Sequence, residues 1–292
     1  MSKQGKLSPE EFAKTPEQVI NRFIDYLDPQ EEPMLEALSI AHFWDFDLFE
    51  ALAGKINYPV TNFSKLCRFS FIQKETGERW SMHDIMREGL QKHQGNQEKK
   101  SVHKIIFNFY NDKLEKLDIK SITSEHETAL IEAFYHAKEA LEIRDMFDWC
   151  ITVSDPFNRA AFWQLIAPLY EDMLQLLEAK LGLEHTSVAT TLNNLAGLYD
   201  NMGEYEKALP IYQRALEIVE KVLGPQHPDV ANTLNNLALL YRQMGEYEKA
   251  LPIYQRALEI MENVLGSNHP NTIIIRNNFV QCITNMEGKS EN

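Results

Sequence analysis

Residues 202–218 read MGEYEKALPIYQRALEI, and residues 244–260 read the same seventeen letters. An identity of that length at an offset of 42 is an internal duplication. The correspondence runs outward from it. TLNNLA recurs at 191–196 and 233–238, Leu-Gly at 181–182, 223–224 and 265–266, and His185, His227 and His269 keep the same step. Each unit reads as two helices. The first spans roughly Thr186 to Met202, with Leu192, Leu195, Ala196 and Tyr199 at helical spacing along one face. Gly203 then ends it, as a glycine just past a helix does. The second spans roughly Glu204 to Leu223 and buries Tyr205, Ala208, Leu209, Tyr212, Ala215 and Leu216. A helix pair with one apolar face cannot bury that face alone, so successive pairs must stack.

The order small residue, Tyr, Gly, Tyr, Ala, Tyr, Ala falls at Ala196, Tyr199, Gly203, Tyr205, Ala208, Tyr212 and Ala215, and again at Ala238, Tyr241, Gly245, Tyr247, Ala250, Tyr254 and Ala257. This resembles the tetratricopeptide repeat. The length of 42, the Asn-Asn pair and the Leu-Gly…His linker resemble the variant found in kinesin light chains and nephrocystin-like proteins, over about residues 181–286. Pro168 and Tyr170 share the register of Pro210 and Tyr212, so 161–182 reads as the second helix of a degenerate repeat whose first helix lies within 138–153. Downstream, His269 to Met286 matches only a first helix, with Val280 at the small position and Ile283 in place of Tyr.

The resemblance implies that the first helices line a concave groove that reads an extended peptide. Carried onto this chain, that face holds Asn193, Asn194, Gly197, Asp200 and Asn201, then Asn232, Asn235, Asn236, Arg242 and Gln243, then Asn277, Asn278, Gln281 and Asn285. An Asn amide offers two donors and an acceptor, which suits pairing with a ligand backbone. The same amides can instead bond neighbouring helices, and both readings stand at this stage. With Arg242 and Arg276 as its only cations, the face does not read as a clamp for a free C-terminal carboxylate. The tyrosines and alanines read as core, and the three linker histidines as turn or capping residues rather than metal ligands.

The first hundred residues have another texture. Helical stretches at about 16–27, 33–42, 45–54 and 60–68 precede FSFIQKETGERWSMHD at 69–84, which reads as a hairpin around Thr76-Gly77 with strands 69–72 and 79–82. A helix from Asp84 to about His93 follows. Helices, hairpin and closing helix make a winged-helix pattern. LSI..FWDFDLFEAL, F..L..FSFI and W.MHDIMREGL resemble the winged-helix domain that follows the nucleotide-binding module of signal-transduction ATPases, with Met82-His83-Asp84 at their MHD motif. In that family the motif's histidine approaches nucleotide, so His83 is a candidate nucleotide-sensing corner. No GxxxxGK[ST] loop is present to hold phosphates, which leaves ATP hydrolysis without a platform. The helix before the wing carries only Lys65 and Arg68, few cations for gripping a duplex.

The net charge of −14 also disfavours nucleic acid, and no GxSxG or HExxH constellation points to catalysis. Cys67, Cys150 and Cys282 are odd in number and far apart, which predicts neither disulfides nor a zinc site. The polar start MSKQGKLSPEEFAKTPEQ predicts no signal peptide, and no apolar run suits a membrane. A cytoplasmic chain is expected.

The expected fold is all-α with one small β-hairpin. A polar tail (1–14), a winged-helix-like domain (15–97) and a helical connector (98–182) precede a right-handed α-α superhelix of tetratricopeptide repeats (183–286) and a short tail (287–292). The expected role is a non-enzymatic protein- or peptide-binding module without cofactor or metal, resembling the sensor arm of such an ATPase and either working with a separate NTPase subunit or being a decayed or truncated relative. The alternatives are a DNA-binding transcriptional regulator and a nucleotide-dependent switch acting in trans.

Overall fold

The computed structural model describes residues 16–115 and 117–290; the stretch 1–14 expected as a polar tail lies outside them. Among the described residues there are fourteen α-helices and one two-stranded sheet. They form two compact units. One takes the chain up to residue 116 and again from 124 to 142, and the other takes 117–123 and everything from 143 onward. The stretch 98–182 therefore supplies helices to both.

The first unit opens with α1 (Pro16–Asp25), α2 (Glu31–Ile40) and α3 (Phe46–Ile56). Asp45 starts α3 by accepting the Leu48 N–H at 2.8 Å, which satisfies one of the free donors at a helix N-terminus. A 3-10 turn at Val60–Asn62 leads into the four-residue α4 (Phe63–Leu66). The hairpin of β1 (Ile72–Lys74) and β2 (Trp80–Met82) pairs Ile72 with Met82 and Lys74 with Trp80. Trp44 and Trp80 exchange two backbone hydrogen bonds of 2.8 Å, which ties the hairpin to the start of α3. Then come α5 (Asp84–His93), α6 (Asn96–Leu114) and α7 (Ser124–Ala140). The core is aliphatic and aromatic: Leu35 and Leu38 of α2, Leu48, Phe49 and Leu52 of α3, Leu90 of α5, Ile106 of α6 and Leu130 of α7 are all buried.

The first hairpin strand lies three residues later than the sequence suggests. Phe69 and Phe71 do not alternate across a ladder. They stack on each other and meet the edge of Phe23 from α1, and the Ile72 N–H turns back to the Phe69 carbonyl. Three aromatic rings gathered into one cluster outweigh the period-2 pattern.

The second unit is a solenoid of helix pairs: α8 (Ile143–Arg159) with α9 (Trp163–Leu181), α10 (Thr186–Asn201) with α11 (Tyr205–Leu223), α12 (Pro228–Gln243) with α13 (Tyr247–Leu265), and then α14 (Pro270–Ser290). The first helix expected within 138–153 is α8, set several residues later, so that it stands 42 residues before α10. Each helix packs on the next, and the first helix α12 also touches the first helices α10 and α14.

The core repeats with the sequence. Ala196, Ala208, Tyr212 and Leu240 form one cluster, and Ala238, Ala250, Tyr254 and Cys282 form its copy 42 residues on. Gly203 adopts φ +76° between α10 and α11, a left-handed turn that side chains rarely tolerate. Arg214 reaches Glu178, and Arg256 reaches Glu220, each at 2.6 Å, so one ion pair also recurs at the repeat interval.

The linker histidines are N-caps. The Nδ1 atoms of His185 and His227 accept the N–H groups of Ser187 and Asp229 at 3.1 Å, and His269 accepts that of Asn271 at 3.2 Å. Each imidazole thus closes the start of a first helix, the capping role expected of it.

Candidate functional site

The 42-residue register places equivalent residues of α8, α10, α12 and α14 on one face. Each Asn-Asn pair gives at least one amide to a bond with a neighbouring helix. Asn278 donates to the side-chain oxygen of Asn235 at 3.0 Å, Asn235 to Asn236 at 3.3 Å, and Asn236 to Asn193 at 3.3 Å. A chain of amides thus runs across three helices. Each amide has more bonding capacity than this chain uses, so knitting the helices does not exhaust it. Asn194 lies beside the Tyr170 hydroxyl of α9.

Beside the amide chain lies a cavity of about 320 Å³ walled by α8, α9, α10, α11 and α12. Of the residues expected on the binding face, it collects Asn193, Asn194, Gly197, Asp200, Asn201 and Asn236. To these it adds Ser154, Asp155 and Asn158 from α8, and Tyr170 and Tyr212 from the second helices. The α8 residues are absent from the sequence reading, although register arithmetic reaches them: Asp155 stands 42 before Gly197, and Asn158 stands 42 before Asp200. Tyr212 was read as core, which it is, but its ring also walls the cavity.

Gly197 makes the space. The next repeat has Leu239 at this position. A Cβ at residue 197 would come 3.4 Å from the Tyr212 hydroxyl. A glycine within a helix costs about 1 kcal/mol relative to alanine, so its presence in α10 needs a return, and open volume is what it gives here.

Asp200 is 7% exposed. Its carboxylate faces the side-chain amide of Gln243 on α12, with the amide nitrogen turned toward it. A neutral amide compensates little for removing a charge from water, and burial pushes the Asp200 carboxyl up to about 6.

The remaining expected residues lie elsewhere. Arg242 and Gln281 bond each other at 2.8 Å outside the cavity. Asn232 and Asn277 are exposed and outside the cavity. His83 sits where β2 meets α5; its side chain is exposed and makes no capping bond, while its carbonyl accepts the N–H groups of Met86 and Arg87 at 3.0 Å. Among the described residues no group of three or more His, Cys, Asp or Glu is arranged to hold a metal ion.

A tetratricopeptide-repeat family profile matches residues 159–220, 187–263 and 229–282. The chain carries tetratricopeptide repeats. No curated protein matches the sequence. Solved structures with a similar fold include BtubC (BKLC) from P. vanneervenii, 23% identical with a TM-score of 0.48, over 64% of this chain and 75% of that one. A putative kinesin light chain with nearly identical TPR-like repeats from Podosopora anserina is 16% identical with a TM-score of 0.41, over 67% and 81% of the two chains. A STAND protein with a tetratricopeptide repeat sensor from Pyrococcus horikoshii is 16% identical with a TM-score of 0.41. That match covers 93% of this chain and half of the other.

Proposed function

We propose that this chain is a non-enzymatic interaction module that binds an extended peptide, or such a segment of a partner protein, along the first-helix face of its repeats. The observation that carries the reading is the cavity beside the amide chain. It is a concave, polar space with a left-over supply of donors and acceptors, on a rigid stack of helices.

The finer role is the sensor arm of a STAND-like signalling system, working with a separate NTPase subunit. Met82-His83-Asp84 directly after the hairpin and the Trp44–Trp80 backbone pairing support a winged-helix-like domain over 15–97. In this reading 98–182 serves as connector and 183–286 as the repeat array. The exposed His83 side chain would be free to meet nucleotide held by that other subunit. The DNA-binding alternative draws less support, because the helix before the wing is short and its Lys65 is engaged by Glu31 at 2.6 Å. Among the described residues no helix is long and apolar enough to cross a membrane, and the three cysteines are free, which fits a cytoplasmic setting.

The test is binding of a fluorescent random octapeptide pool to the full chain, read by anisotropy. Asn201→Trp, on the exposed edge of the cavity wall, is expected to abolish it. Gln213→Trp, exposed on α11 and outside that wall, is expected to leave it intact. Equal binding by both variants would overturn the groove reading.

A further inference from the structure

Among the described residues, the only charged side chains that line the repeat cavity are those of Asp155 and Asp200. Asp155 is exposed, and its 3.7 Å contact with the equally exposed Arg159 is worth little in water. Asp200 is buried, with the neutral Gln243 amide beside it. Arg242, the cation that the next repeat places at the Asp200 position, is held by Gln281 and does not reach the wall. Tyr212 is 3% exposed and lines the same space, and its hydroxyl makes no hydrogen bond among the described residues. That hydroxyl is not one of the buried oxygens left without a partner, so it opens on the cavity and is available to a ligand atom.

We infer that this cavity seats a lysine or arginine side chain of the docked peptide, its cation bonded to Asp200 and to the Tyr212 hydroxyl and drawn in by Asp155. The inference rests on the reading that the first-helix face binds a peptide, and it names the chemistry of that peptide. The apolar stem would lie against Ile151 and Leu239 in the wall, as long basic side chains bury their methylenes while the head stays polar. Gly197 leaves the volume the stem needs. A cation also resolves the cost that keeps the Asp200 proton bound at mildly acidic pH, since an opposite charge favours the carboxylate. The chain's net charge of −14 favours the approach of a basic segment over long range.

The rival account is that Asp200 serves only to hold Gln243 and so brace α10 against α12. An asparagine would do that at least as well, because it exchanges the same bond without burying a charge. The two accounts therefore part at Asp200→Asn.

The experiment uses the full chain and four octapeptide pools, random except for one fixed central residue: Lys, Arg, norleucine or Glu. Anisotropy titrations at pH 7.5 are expected to give at least tenfold tighter binding of the Lys and Arg pools than of the norleucine pool, with the Glu pool weakest. In Asp200→Asn the Lys and Arg pools are expected to fall to the level that the native chain shows for norleucine. Gly197→Leu, which fills the cavity as Leu239 does one repeat on, is expected to remove the same preference. Melting curves of both variants guard against simple unfolding. Binding of all four pools with equal affinity, or an unchanged Lys preference in Asp200→Asn, overturns the basic-residue inference and leaves the peptide groove standing. Binding of no pool overturns both.

Discussion

The Nδ1 atoms of His103 on α6 and His136 on α7 lie 2.9 Å apart, so one imidazole must donate and the other accept, and the accepting nitrogen cannot be protonated without breaking the pair. His136 is fully buried, and its Nε2 sits 3.9 Å from a Glu132 oxygen. Glu132 is meanwhile engaged by Nδ1 of His42 at 3.0 Å.

Burial, followed by the charges of His103 and His42, takes His136 down to about 3, and burial also lowers His103. Between that value and the 6.5 of an unfolded histidine, the unfolded chain binds more protons, so stability falls as pH falls. Above 6.5 His136 adds no slope. One such group held neutral costs about 2 kcal/mol between pH 7 and pH 5. Urea unfolding followed by the fluorescence of Trp44 and Trp80 in the first unit, with Trp149 and Trp163 of the second replaced by Phe, checks this. A flat profile from pH 7 to 5 would show that the pair titrates normally.

Asp200 carries the opposite sign. Its folded carboxyl, at about 6, is more basic than the unfolded 3.8, so ionisation opposes folding and this cost vanishes as pH drops through that interval. Asp200→Asn is therefore expected to raise stability at pH 7.5 by on the order of 1 kcal/mol, part of the shift being screened at the cavity surface, and to change little at pH 4.5. Paired thermal melts at the two pH values test it. A variant more stable than its parent yet blind to basic peptides would be a residue kept for recognition at the expense of the fold.

The histidine caps give a third expectation. His227→Ala removes the acceptor that holds the Asp229 N–H and is expected to cost about 1 kcal/mol, whereas His227→Asn, a stronger capping residue, restores it. Chemical denaturation separates these outcomes. If both variants behave alike, the imidazole is not acting as a cap.

The two equivalent tyrosines should respond differently to losing their hydroxyls. The Tyr254 oxygen is buried with no partner among the described residues. Tyr254→Phe is then expected to be neutral or stabilising by up to about 1 kcal/mol, since an unsatisfied hydroxyl costs rather than contributes. Tyr212→Phe is expected to leave stability unchanged and to weaken binding of the Lys pool. A destabilised Tyr254→Phe would reveal a bond that the static structure does not contain.

The solenoid was legible in the sequence because an exact duplication announces its own register. The α8–α9 pair was half hidden: α9 kept its Pro168 and Tyr170, but α8 lacks the Asn-Asn pair and carries Pro156 within the helix, so its bounds blurred. The strand shift at Phe69–Phe71 was invisible because alternating aromatics look like a ladder until a third ring arrives from α1. At the site, the sequence placed Asn193, Asn194, Asp200 and Asn201 on one face. It could not show that Arg242 would be occupied by Gln281, or that Gly197 opens a volume, because both depend on what stands opposite.

Residues 205–218 of α11 and 247–260 of α13 are the same fourteen letters, so each helix fits the other's seat. A chain that stacked α13 directly after α10 would bulge out 42 residues as a loop, and the closure entropy of such a loop grows only slowly with length. Discrimination then falls to the first helices, where Gly197 faces Leu239 and Asp200 faces Arg242 across the register. The substitutions that shape the groove also number the repeats, and erasing them to make a perfect consensus array is expected to admit out-of-order assembly during refolding.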